Sequence, residues 1–204
     1  MSTLTNIFYI TSISLMIPVM LALLFGLLYA VYLTGTTIYE YVGRMRQRAA
    51  RRAFTEALEA KSSSLPAFDA TDDFSRTLNY VMADSKDSLL LGKRIADQEA
   101  AWRTELEKVH DLTKYGPAFG LMGTLIPLGP ALVGLADGNL KMMADNMIVA
   151  FATTIVGILI SLIALTIHSA KKRWYRADSI LLTFAAERLA EMPTPTESQV
   201  SDAA

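Results

Sequence analysis

Three long runs of this chain contain no Asp, Glu, Lys or Arg: residues 1 to 39, 115 to 136 and 146 to 170. The stretch between the first two is densely charged, so apolar residues are segregated along the chain and not mixed into amphipathic elements. A helix needs roughly 20 largely apolar residues to cross the hydrocarbon core, and each run supplies that length. Spans are therefore expected at Ile7 to Leu33, Tyr115 to Ala136 and Asn146 to Ala170. A hydrophobic fraction of 52% over 204 residues agrees with this and would be unusual in a soluble domain.

A cleaved signal peptide is the competing reading of the first run. It would need a basic start, a shorter apolar stretch and a small-residue cleavage site, and none is evident. The net charge of −1 argues against a nucleic-acid partner. The lack of Cys removes disulfides, thiolate metal sites and thiol nucleophiles. His110 and His168 stand alone in sequence, which gives no support for a paired-histidine metal site. No nucleophile with a nearby base, phosphate loop or metal cluster is apparent, so an enzyme is not expected and no cofactor is implied.

In short-looped membrane proteins, basic residues gather on the cytoplasmic side. Arg44, Arg46, Arg48, Arg51 and Arg52 follow the first span, and Lys171, Lys172, Arg173 and Arg176 follow the third. The hairpin between spans two and three carries Lys141 against Asp137 and Asp145. The amino terminus and that hairpin are therefore expected outside, and the middle region and carboxyl terminus in the cytoplasm. Arg44 to Lys61 is rich in Ala, Arg and Glu and should continue the first helix beyond the bilayer. Lys61 to Asp73, with its Ser run and Pro66, reads as a turn. Leu91, Ile95, Trp102, Leu106 and Val109 mark an apolar helical seam leading into span two, to which packing alone is assigned.

The expected fold class is all-α: an integral membrane protein of three transmembrane helices with long cytoplasmic helical extensions. Its segments are the external amino terminus and first span (1–40), a cytoplasmic helical region (41–113) and a two-span hairpin core (114–172). A cytoplasmic helical extension (173–192) and a Pro-, Thr- and Ser-rich tail expected to be disordered (193–204) complete the chain.

A transmembrane proton relay normally carries an ionisable group near mid-membrane, and no carboxylate, amine or guanidinium lies in any of these spans. Either the chain conducts no ion or a partner brings the acid. The spans do carry small and hydroxyl side chains in register. Ala150, Thr154, Gly157, Ser161, Ala164 and His168 share one face of span three, opposite Phe151, Ile155, Ile158, Leu162 and Leu165. Gly120, Thr124, Pro127, Ala131 and Gly134 form a comparable face in span two. Such faces allow close backbone approach and interhelical hydrogen bonds, so tight packing of the two spans within one subunit explains them as well as a pore does. Pro127 and Pro130 would each free a carbonyl at membrane depth and favour a kink.

The run Gly116-Pro-Ala-Phe-Gly-Leu-Met-Gly-Thr-Leu-Ile126 is followed after a short hairpin by Val149-Ala-Phe-Ala-Thr-Thr-Ile-Val-Gly157. This pair resembles the signature of the MotA/TolQ/ExbB family over roughly residues 110 to 172. The three-span topology is similar to the TolQ and ExbB branch, whereas flagellar stator subunits have four spans. The resemblance implies a homopentamer around two copies of a single-span partner of the ExbD/TolR/MotB kind, whose transmembrane Asp binds the ion. It implies that Thr124 and Thr154 line the ion path. Gly120, Pro127, Gly157 and Ser161 would be the kink or pore-facing positions.

On this resemblance, passage of H+ drives rotation of one component against the other, in an inner or plasma membrane. Two positions depart from the pattern: Val149 where the ExbB branch often has Glu, and Pro127 where Gly is expected. The doubled threonine is similar to that of sodium-using members, so Thr153 could supply a further oxygen and Na+ is the alternative ion. A non-conducting membrane scaffold, whose small faces only pack helices, is the competing class.

Overall fold

The computed structural model describes residues 3–60, 73–83 and 88–191, and within them every regular element is an α-helix. The order is α1 (Thr3–Ser14), α2 (Met16–Glu59), α3 (Asp73–Ala83), α4 (Ser88–Ala136) and α5 (Leu140–Glu191). Three helical stretches are long and apolar enough to cross a membrane; the first, Ile10–Glu59, contains most of the first charge-free run, and the other two contain the second and third runs whole. The helix expected to continue from Arg44 extends to Glu59. The turn at Lys61 to Asp73, except for Asp73 itself, and the tail at 193–204 lie outside the described residues.

The first run is not one uninterrupted helix. The helix breaks at Leu15, three residues before Pro18. Pro18 has no N–H for the carbonyl of Ser14, and its ring crowds that carbonyl, which is the usual reason for a helix to break one turn before a proline. Continuity is restored by the bond from Val19 N to Leu15 O at 3.1 Å. By contrast, α4 carries Pro117, Pro127 and Pro130 and remains one continuous helix.

The link between α4 and α5 is short because both of its ends are capped. Gly138, at φ 70°, occupies the left-handed position that closes α4. Its N–H reaches Leu135 O, and the N–H of Asn139 reaches Gly134 O at 2.7 Å. The Asn139 side chain then accepts from Met142 N at 3.0 Å and caps α5.

The chain divides into two compact units. The first comprises Met1–Ile38 and Leu106–Ala170. Here Val19, Leu23 and Ala30 of α2 are buried with Ile160 of α5, flanked by Leu112, Phe119 and Ile126 of α4. A second cluster joins Leu33, Val109, Ala164 and Ile167. The opposite faces remain apolar and open, with Phe25, Leu125, Phe151 and Ile155 each more than 60% exposed, as side chains facing lipid would be.

The second unit comprises Tyr39–Glu105 and Lys171–Ala204, so far as these are described. The seam residues Leu91, Ile95 and Trp102 are buried in it. So is a group of charges that the sequence did not reveal. Asp178, 2% exposed, meets Arg44 at 2.7 Å and Arg51 at 2.6 Å. Lys171, 4% exposed, meets Glu40 at 3.2 Å and also pairs with Glu105. The Tyr175 hydroxyl donates to Glu105 at 2.6 Å, and its ring stacks on Trp102.

Burial opposes the Lys171 ammonium, but the hydrogen bond to Glu105 and the charges of Glu40 and Glu105 outweigh it and raise the Lys171 pKa. Burial, the bond to Glu105 and the same negative charges push the Tyr175 phenol up, which keeps it a donor. Buried charges of this kind are tolerated because each is paired and hydrogen-bonded.

Candidate functional site

Within the first unit, α4 and α5 touch backbone to backbone. A Cβ added at Gly157 would lie 2.5 Å from Gly116 O and 2.8 Å from Gly120 Cα. One added at Gly116 would lie 2.7 Å from Gly157 O, and one at Gly123 would lie 2.6 Å from Thr153 Cβ. Only glycine permits this approach, since real side-chain carbons do not come so close. Helix association in lipid depends on such packing because apolar burial gives little advantage there. Gly120 and Gly157 therefore meet in the contact between two helices of one chain, and Pro127 of α4 is fully buried.

The three threonines differ in their surroundings. Thr153 is buried against Gly123 and donates to Ala150 O at 2.8 Å. Thr154, half-buried, reaches the same carbonyl only at 3.4 Å. Thr124, also half-buried, donates to Leu121 O at 2.7 Å. Each hydroxyl that donates to its own helix still offers its oxygen lone pairs, which can accept from a protonated acid or bind a cation. Thr154 is the least committed, because Thr153 holds the carbonyl that both could use.

Ser161 has a distinct role. Its hydroxyl donates to Thr113 O at 2.9 Å, linking α5 to α4. Thr113 lies four residues before Pro117, so its carbonyl lacks the N–H that an ordinary helix would supply. The serine satisfies a group that lipid could not.

Sequence reasoning placed the small-residue faces on α4 and α5 but missed how two residues would meet. His110 and His168 have ring centroids 5.1 Å apart, and His168 Nδ1 lies 3.2 Å from Leu106 O. They are separated by the whole hairpin in sequence, so neither spacing nor periodicity could have paired them.

Comparison with known proteins gives one match. The model of the MotA/TolQ/ExbB proton channel family matches residues 74–182, more than half of the chain, and covers all of α4 and α5 as far as Leu182. No curated protein and no solved structure matches the chain.

Proposed function

Since this chain belongs to the MotA/TolQ/ExbB proton channel family, we propose that it is the multi-span subunit of an ion-driven motor, a homopentamer surrounding two copies of a single-span partner whose transmembrane Asp carries H+. As a multi-pass membrane protein of a proton channel family, it has an ion-conducting role in an energy-transducing complex. The observation that carries the finer reading is the state of Thr154. It sits at the margin of a glycine-packed helix pair, half-buried, with its hydroxyl only 3.4 Å from a carbonyl already used by Thr153. A foreign carboxyl group arriving beside Thr154 and Thr124 would find hydroxyl oxygens able to accept its proton bond, and the spans themselves supply no competing acid.

In this reading the amino terminus and the Asp137–Asn139 turn are external, and the Arg-rich region after the first span and the carboxyl terminus are cytoplasmic, in an inner or plasma membrane. Ion passage turns the pentamer against the partner dimer, or the reverse. The burial of Thr153 against Gly123 favours H+ over Na+, because a dehydrated cation would need that oxygen in its coordination shell.

The test is the composition of the particle purified after co-expression with a single-span neighbour bearing a transmembrane Asp. Native mass spectrometry should give five copies of this chain with two of the partner. A stable particle that never contains an acidic single-span helix would instead support a membrane scaffold.

A further inference from the structure

His110 and His168 are brought together by α4 and α5, and their geometry differs from a plain ring stack. The rings are tilted by 39° with centroids 5.1 Å apart. The Leu106 carbonyl can only accept, so His168 Nδ1 donates to it and the Nε2 lone pair is left available. Histidines that ligate metals usually donate their other ring N–H to such an acceptor, because that bond fixes both tautomer and ring orientation, and His168 meets this requirement. Two imidazoles sharing one tetrahedral ion at about 2.0–2.1 Å would have ring centres about 5 Å apart, close to the separation observed. His110 is exposed and precedes the second span, and His168, half-buried, lies two residues from the end of the third, so the pair sits at the ends of the spans and not at mid-membrane.

We propose that His110 and His168 form a two-histidine site for a transition-metal dication of the Zn2+ and Cu2+ class, tying α4 to α5. Among the described residues no cluster of three or more His, Cys, Asp or Glu could hold a metal ion, so the remaining coordination positions belong to water. Two neutral imidazoles suit Zn2+, Ni2+ and Cu2+ and give Mg2+ or Ca2+ nothing they prefer; Cu2+ should bind more tightly than Zn2+. An ion held between two helices also favours the folded state by mass action, so it should raise the unfolding temperature, by an amount that grows with the logarithm of its concentration above the Kd.

The experiment uses the full chain, free of any affinity tag, in detergent micelles at neutral pH. Zn2+ is titrated in competition with a chromophoric chelator, and thermal unfolding is followed with and without Zn2+. One Zn2+ per chain at micromolar affinity is expected, with a rise in melting temperature. His110→Ala, at an exposed position, and His168→Asn, which retains a donor for Leu106 O, should each weaken binding at least tenfold and abolish the rise. Binding that survives both substitutions is adventitious and overturns the proposal, as does wild-type protein that binds no Zn2+ or melts at the same temperature with it.

Discussion

The hydroxyl of Ser161 donates to the carbonyl of Thr113 at 2.9 Å, the acceptor that Pro117 leaves without its helical partner. The bond joins α5 to α4 beside the Gly116–Gly157 contact, so a hydrogen bond and a packing contact act at one point. Removing the hydroxyl by Ser161→Ala should destabilise the protein by about 1 kcal/mol, the scale of interhelical bonds in membranes. In a Pro117→Ala background, where the helix supplies its own N–H, the same change should cost clearly less. Unfolding in mixed detergent micelles measures all four corners of this cycle, and equal costs in both backgrounds would show that Pro117 does not create the demand.

Gly157→Ala should be far more damaging than its size suggests. Its new carbon would meet two backbone atoms of α4, at 2.5 and 2.8 Å, and backbone cannot move aside as a flexible side chain can. Overpacking of this kind costs roughly 1–3 kcal/mol. Gly43→Ala is the matched control: nothing lies within 4 Å of its added carbon, and it is inside α2. That substitution should stabilise by about 0.5–1 kcal/mol through helix propensity. Thermal melts of the two variants in the same detergent should therefore move in opposite directions.

Asp178→Ala should destabilise the second unit by roughly 3–5 kcal/mol, because it leaves Arg44 and Arg51 beside each other with their shared carboxylate gone. Replacing an exposed acid such as Glu56 should change little. Comparable melting temperatures for the two variants would mean that the buried pairing contributes nothing.

The pH dependence of Lys171 follows from the sign of its shift. Its pKa is raised above the ordinary 10.5, so its pairing with Glu40 and Glu105 contributes fully below the ordinary lysine value. That contribution is lost only as pH rises through the raised value. Lys171→Met should accordingly lower stability by the same amount at pH 6 and pH 9. A penalty that fades between those two values would place the lysine's titration in the neutral range and contradict the pairing.

Much of the fold was legible because membrane burial writes itself into local composition. Charge-free runs locate the spans, and three- and four-residue steps put Gly120 with Thr124 and Gly157 with Ser161 on shared faces. The break at Leu15 was missed although Pro18 announces it, since Pro127 and Pro130 show that a proline alone does not end a helix. The Asp178 and Lys171 groups were invisible for a different reason. Their partners come from helices distant in sequence, and a surface arginine and a buried one look alike until the helices are placed. The histidine pair was hidden in the same way. The difference among the threonines is likewise set by three-dimensional packing: periodicity does not say that Thr153 would take the Ala150 carbonyl and leave Thr154 loosely held.

Ion flux through the complete complex in proteoliposomes, compared for wild type, Thr154→Ser and Thr154→Ala, tests the account where it is most exposed. The serine variant keeps a hydroxyl and should conduct, while the alanine variant should assemble normally with its partner and carry no H+. Wild-type flux in the alanine variant would contradict the assignment of Thr154 to the ion path.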